Sequence, residues 1–288
     1  MKQDLLTVME QGMPSFSKGQ RHIAAYIIEN YEKAAYMTAA KLGALSGVSE
    51  STVVRFAIEL GFEGYPEMQK ALQELVRTKL TSVQRMEVTD TLIGNSDVLD
   101  KVLTSDIDKI RQSLDEIDRS AFYTAVDRIA EAKNIYIIGV RSSSTLAGFL
   151  NYSFRMIFDN VKFIQTTSGS EMFEQIMRIG PGDVMIAISF PRYSKRIINA
   201  VEFAQAHGAD VVALTDSAQS PIAAHADQLL TACSDMASFV DSLVAPLSII
   251  NAMIVAVGRK KKDELTVRLH DLEAIWDRYD VYDKNNNQ

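Results

Sequence analysis

The chain has 288 residues, 47% hydrophobic and 23% charged, with a formal net charge of −7. That balance excludes a disordered or fibrous protein and is enough to bury one or two proper cores. The single cysteine, Cys233, rules out an intramolecular disulfide and a cysteine-rich zinc site, and His22, His207, His225 and His270 are too scattered for metal ligation, so no metal and no cofactor are expected. The first residues carry early acids and no apolar run of signal-peptide length, which makes the cytoplasm the expected compartment.

In chain order, the stretch from Ser17 to Ala35 places Ile23, Ala24, Ile27, Ile28 and Tyr31 on one helical face, the pattern of a supporting helix. Between Met37 and Tyr65 follow a short helix, a glycine turn and a second helix. Thr38 is a cap for a helix through Ala39, Ala40, Leu42 and Leu45, and Gly47 supplies the left-handed residue that ends it. Ser49 is placed to cap the next helix, whose Val53, Val54, Ala57 and Leu60 face inward. Glu50, Ser51, Thr52 and Arg55 are then left at its exposed N-terminal end, the end that a helix-turn-helix pushes into a major groove. Ser49, Glu50, Ser51, Thr52, Arg55 and Lys41 are therefore the expected DNA-binding residues. A further helix opens at Tyr65-Pro66 and carries Met68, Leu72, Leu75 and Val76 at helical spacing.

The run Val48-Ser49-x-Ser51-Thr52-Val53-x-Arg55-Phe56, followed by Leu60-Gly61-Phe62-x-Gly64-Tyr65, resembles the N-terminal domain of the RpiR family of bacterial transcriptional regulators. The resemblance implies duplex operator DNA as partner. Charge partition supports this only locally, since residues 1–85 carry a net +1 and residues 86–288 a net −8. Phosphate affinity then rests on the placement of Lys18, Arg21, Lys41, Arg55 and Lys70, and tight binding needs two readers, hence a homodimer or larger oligomer.

From Leu92 to Glu131, Val98, Val102, Ile107, Ile110, Leu114 and Ile117 recur at helical spacing, which reads as a helical connector. Strand and helix patterns then alternate. Residues 134–139, 161–166, 183–190, 210–216 and 228–234 are apolar, β-rich runs, and five such runs with helices between them predict an α/β fold with a parallel sheet covered on both faces. Ser242 to Gly258 has no charge and precedes Arg259 and three lysines, but its 17 residues are short for a membrane span, and Pro246, Ser248 and Asn251 interrupt it. It reads instead as a core or subunit-interface helix.

In such sheets ligands sit beyond the carboxyl ends of the strands. Those ends read Val-Arg-Ser-Ser-Ser-Thr after Gly139, Thr-Ser-Gly-Ser-Glu after Thr166, Phe-Pro-Arg-Tyr-Ser after Ser189 and Asp-Ser after Thr215. Short hydroxyls beside free N–H groups at helix entrances can cradle a phosphate or a sugar. This half resembles the sugar isomerase (SIS) domain that usually follows the RpiR reader. The resemblance implies that Ser142, Ser143, Ser144, Ser168, Ser189 and Ser194 line a phosphosugar site. Where many SIS domains have S-x-S-G-x-T, this chain has Ser189-Phe-Pro-Arg-Tyr-Ser194, and Arg192 suits a carboxylate or phosphate.

The expected organisation is thus an N-terminal all-α helix-turn-helix bundle at 1–80, a helical connector at 81–130, a five-stranded SIS-like sandwich at 131–277 and a tail at 278–288. The expected function is a regulator, not an enzyme, that senses a small anionic metabolite such as a phosphosugar or sugar acid. An isomerase with an accessory helical domain is the alternative, with Glu171 and Glu174 the available bases.

Overall fold

A computed structural model of the chain describes residues 5–94, 97–234 and 240–282. By compactness the chain divides into two units, Met1–Val98 with Asp235–Asp241 and Leu99–Ser234 with Ser242–Gln288. The helical connector is shared between them in sequence, its first helix belonging to the first unit and its later helices to the second.

The first unit contains α1 (Leu5–Gly12), α2 (Lys18–Ala34), α3 (Ala39–Ser46), α4 (Glu50–Glu59), α5 (Tyr65–Lys79) and α6 (Ser82–Ile93). Ser17 and Gln20 form a capping box that fixes the start of α2. At Asn30 the helix kinks, where the side-chain amide donates to the Tyr26 carbonyl and competes with the regular ladder. The core gathers Ile23 and Ile27 of α2, Leu42 of α3, Val53 and Phe56 of α4, and Met68 and Leu72 of α5, all fully buried. Phe56, which the apolar spacing did not single out, sits edge-on to Phe16 with ring centroids 5.3 Å apart.

Tyr65 closes this unit from the α5 side, its hydroxyl donating to the Met37 carbonyl at 2.6 Å. Burial pushes its phenol up from 10.0 to about 12. The fold therefore favours the protonated form, and this contribution is complete below pH 10 and is lost as pH rises from 10 towards 12. Denaturation of the wild type in this window should be steeper with pH than that of Tyr65→Phe, measured by denaturant midpoints; parallel curves would show that the phenol does not titrate with unfolding.

The second unit starts with α7 (Val98–Glu116) and α8 (Arg119–Glu131), then runs β1 (Ile135–Gly139), α9 (Ser143–Ile157), β2 (Val161–Ile164), α10 (Gly169–Ile176), β3 (Val184–Ile188), α11 (Lys195–Ala206), β4 (Asp210–Thr215), β5 (Gln228–Thr231), α12 (Val244–Lys260) and α13 (Lys262–Arg278). All strand pairs are parallel and the order is β2-β1-β3-β4-β5. Alternate residues feed two cores. Ile135, Ile137, Val184, Ile186 and Val212 pack against α8, α9 and α12, whereas Tyr136, Ile138, Met185, Ala187 and Val211 pack against α10 and α11. The continuous apolar runs of the sequence follow from this double burial.

The uncharged helix α12 is a core element of its own chain. Ala245, Pro246, Ile249, Ile250, Met253 and Val257 are buried and the helix packs on α8 and α9, the core role that its apolar sequence allowed, while Val255 stays exposed on the other side. Pro246 lies in the first turn, where its missing N–H costs nothing. No helix among the described residues is long and apolar enough to cross a membrane. Helix α13 buries no residue fully, and an Arg268 fork on Asp159 (2.8 and 2.7 Å) ties it down. Those hydrogen bonds, reinforced by the guanidinium charge, hold the Asp159 carboxyl below the usual carboxylate range.

Candidate functional site

The reading head is built by a tight turn. Thr38 Oγ1 accepts from the Lys41 N–H and starts α3, and Gly47 ends it at φ 69°, with the next N–H, of Val48, returning to the Gly43 carbonyl at 2.9 Å. A Cβ on Gly43 would stand 2.9 Å from the Val48 carbonyl oxygen, so this turn closes only over glycine. Leu45, at the end of this short helix, is 51% exposed, whereas Leu42 is buried.

Helix α4 then starts at Glu50. Ser49 occupies the N-cap but makes no side-chain capping bond; its Oγ lies 2.9 Å from both Ser51 Oγ and Thr52 Oγ1, and these nearby hydroxyls compete for the bond a cap would make. Ser49, Glu50, Ser51 and Arg55 are exposed, as is Lys41 on α3, but Thr52 is half-buried with its methyl towards Gly19 of α2. The Arg55 Nε donates to the Ser51 carbonyl at 3.2 Å, which lays the guanidinium back along the exposed start of the helix. Lys18, Arg21 and Lys70 are exposed as well.

At the other unit, β1 and β3 are neighbours at the point where the order of strands reverses, and their exits face the same carboxyl edge. The chain from Val140 to Thr145 and from Phe190 to Arg196 carries Arg141, Arg192, Lys195 and Arg196 and no carboxylate. Arg141 and Arg192 both hold left-handed backbones, with φ of 56° and 62°, a conformation that costs a non-glycine residue about 1 kcal/mol. Sequence patterns gave no sign of Arg141. Ser143 and Ser189 are buried at the two exits, and Ser142 stands exposed at the N-cap of α9 without a capping bond.

The remaining serines have local partners. Ser144 donates to the Arg141 carbonyl, Ser168 accepts from the Glu171 N–H at the head of α10, and Ser194 accepts from the Arg196 N–H at the head of α11. The loops after β3 and β4 are tied together where Tyr193 donates to Asp216 at 2.8 Å, with Thr215 donating to the same oxygen. Glu171 is engaged by the Thr166 hydroxyl, His207 stacks on Phe203, and His225 contacts Gln205.

A helix-turn-helix unit joined to a doubly wound parallel sheet is the architecture of a transcriptional regulator with a small-molecule domain. Comparison with known proteins agrees over both units: the helix-turn-helix domain of the rpiR family matches residues 3–79 and the SIS domain residues 128–256. The chain is similar to an HTH-type transcriptional regulator of Clostridium perfringens (27% identity, covering 79% of this chain and 81% of that protein) and to the HTH-type transcriptional regulator HexR of Escherichia coli (26% identity, 91% and 92%). Among solved structures, the Vibrio vulnificus NanR protein complexed with ManNAc-6P shares the fold (24% identity, 96% of this chain and 98% of that one, TM-score 0.60). So does the sugar isomerase domain of an RpiR transcription factor from Sphaerobacter thermophilus (26% identity, 60% and 97%, TM-score 0.58). The chain belongs to the RpiR family: it is a DNA-binding transcriptional regulator with a SIS domain, and not an enzyme.

Proposed function

We propose that this regulator senses a small anionic metabolite, a phosphosugar or a sugar acid, at the carboxyl edge of its sheet and alters operator binding in response. The carrying observation is the cationic, hydroxyl-rich pair of exits after β1 and β3. Four basic side chains lie there beside the N-terminal turns of α9 and α11, whose positive helix ends favour an anion, while the nearby Asp216 carboxylate is engaged by Tyr193. The complex of the Vibrio NanR with ManNAc-6P, a protein of the same fold, supports the phosphosugar class. Ser142, Ser143 and Ser189, whose hydroxyls make no capping bond among the described residues, are assigned to the ligand. Arg192 takes its anionic group, while Ser144, Ser168 and Ser194 shape the loops and offer their second lone pairs.

A thermal-shift screen of phosphosugars and sugar acids tests this directly. A ligand at 100 times its dissociation constant stabilises the fold by about 2.7 kcal/mol. Ser143→Ala combined with Arg192→Ala should remove that shift; if the shift survives, the site lies elsewhere.

For the reader, the assignment is that Glu50, Ser51 and Arg55 reach base edges, that Ser49 and Thr52 order the helix start, and that Lys41 meets phosphate. Arg55→Ala with Ser51→Ala should weaken operator binding by about 1–3 kcal/mol for each base edge left unread, with unchanged melting because both side chains are exposed. Lys41→Ala should weaken all duplexes alike and flatten the salt dependence. Equal operator affinity in a folded Arg55→Ala/Ser51→Ala variant removes the assignment. Two such readers in a homodimer working in the cytoplasm give the affinity that a unit of net +1 lacks.

A further inference from the structure

Helix α7 buries polar side chains and leaves large apolar ones exposed. Its polar side faces the fold: Lys109 and Ser113 are buried, and the Lys109 ammonium donates to Ser105 and lies 3.9 Å from Asp106. The same side holds the two ends of the connection between β5 and α12. Ser113 Oγ accepts from the Cys233 N–H at 2.8 Å, and Ser242 donates to Asp106 at 2.6 Å. Among its exposed charges the helix also turns Leu99, Leu103, Ile107, Ile110 and Leu114 to water, each 37–66% exposed. A surface helix ordinarily does the reverse.

We infer that this outward stripe of α7 is the seam through which two copies of the chain pair, an inference that rests on the dimeric reading above and gives it an address. Leu103, Ile107, Ile110 and Leu114 follow one another by steps of four, three and four, the spacing that keeps one face of a helix against another helix. The stripe is self-complementary. Reversed about its midpoint between Asp108 and Lys109, it sets Leu103 against the Leu114 position of a second copy and Ile107 against Ile110, so each layer joins side chains of one size. Lys101 then meets the Glu116 position, opposite in charge. That is the isologous geometry of a twofold interface.

The five side chains leave on the order of 500 Å² of apolar surface in water, about the largest patch a soluble monomer shows. Pairing buries it twice, roughly 1,000 Å², which reaches the size of a specific interface before any neighbouring residue is counted. Helix α12, the alternative seam, buries most of its apolar residues within its own unit, against α8 and α9.

The test is sedimentation of the full chain. Wild type should run at twice 32.0 kDa, and Ile107→Asp with Leu114→Asp should run as a 32.0 kDa monomer with its melting preserved, since both sites are half-exposed. The dimer dissociation constant should rise about 100-fold or more, as expected when two central seam residues are replaced. Val255→Asp, on the exposed side of α12, should stay dimeric. A folded double variant that keeps wild-type mass overturns the seam and leaves the dimeric reading standing. A wild type that is monomeric at tens of micromolar removes that reading and the seam with it. Should the aspartate variant not fold, Leu103→Cys/Leu114→Cys in a Cys233→Ser background decides: a bifunctional thiol crosslinker should give covalent dimer in high yield, and its absence overturns the seam.

Discussion

Phe56→Ala is expected to melt the helix-turn-helix unit at temperatures where the α/β unit stays folded, and to abolish operator binding while ligand binding persists. The ring is fully buried at the centre of the N-terminal core, between α2, α4 and α5, and stacks edge-on against Phe16. Removing it deletes the transfer energy of the ring, leaves a cavity lined by Ile and Leu, and strips Phe16 of its partner, a combined loss of about 3–5 kcal/mol. A unit of this size has a total stability of about that order. Because the α/β unit has its own two cores, the loss should appear in calorimetry as one transition shifted or missing and another unmoved. A single transition displaced as a whole would show that the units unfold together.

Phe56 also shows where sequence reading reaches its limit. The apolar spacing of α4 marked Val53, Val54, Ala57 and Leu60 as the inner face, and Val53 and Ala57 are buried as that spacing implies. The centre of the core, however, falls one residue from Ala57, because the helix is packed from two sides and its buried arc is wider than one stripe. On the eight-residue α3, hydrophobicity alone does not decide which side is covered, since Leu42 is buried and Leu45 is not. The five strands were legible because each is a continuous apolar run, and a parallel sheet buried on both faces demands nothing else.

The candidate site was legible as chemistry and less so as geometry. Hydroxyls recur at the strand exits, but whether each is spent on a local bond depends on φ and ψ at the helix entrance, which sequence does not state; Ser168 caps α10 while Ser142 makes no capping bond. Similarly, Ser49 occupies the cap of α4 without the capping bond, since Ser51 and Thr52 place two more hydroxyls beside it. Of the stripe on α7, Ile107, Ile110 and Leu114 were visible as helical periodicity in the connector, and Leu99 and Leu103 were not. Its direction was not, because only the polar partners at Cys233 and Ser242, more than a hundred residues away in sequence, fix which face turns inward.

Gly139→Ala is expected to close the ligand site while adding a single methyl group. Gly139 ends β1, and the chain turns so sharply into α9 that a Cβ there would stand 2.6 Å from the Ser143 carbonyl oxygen and 3.1 Å from the Ala147 Cβ. Neither neighbour is the loose end of a side chain, so the entrance of α9 must move. That shift carries Ser142, Ser143 and Ser144 away from the exit of β3, where Ser189 and Arg192 stand, and it lengthens the Val140–Ser143 turn that holds Arg141 left-handed. Overpacking of this kind costs about 1–3 kcal/mol, so the α/β unit should melt several degrees lower yet remain folded. The ligand-induced shift found for wild type should vanish, because an anion held by fixed N–H groups and hydroxyls loses its fit with displacements of an ångström or less. Operator binding without ligand should be retained, since the reading unit is untouched. A Gly139→Ala variant with unchanged melting and an undiminished ligand response would place the metabolite away from the β1 exit.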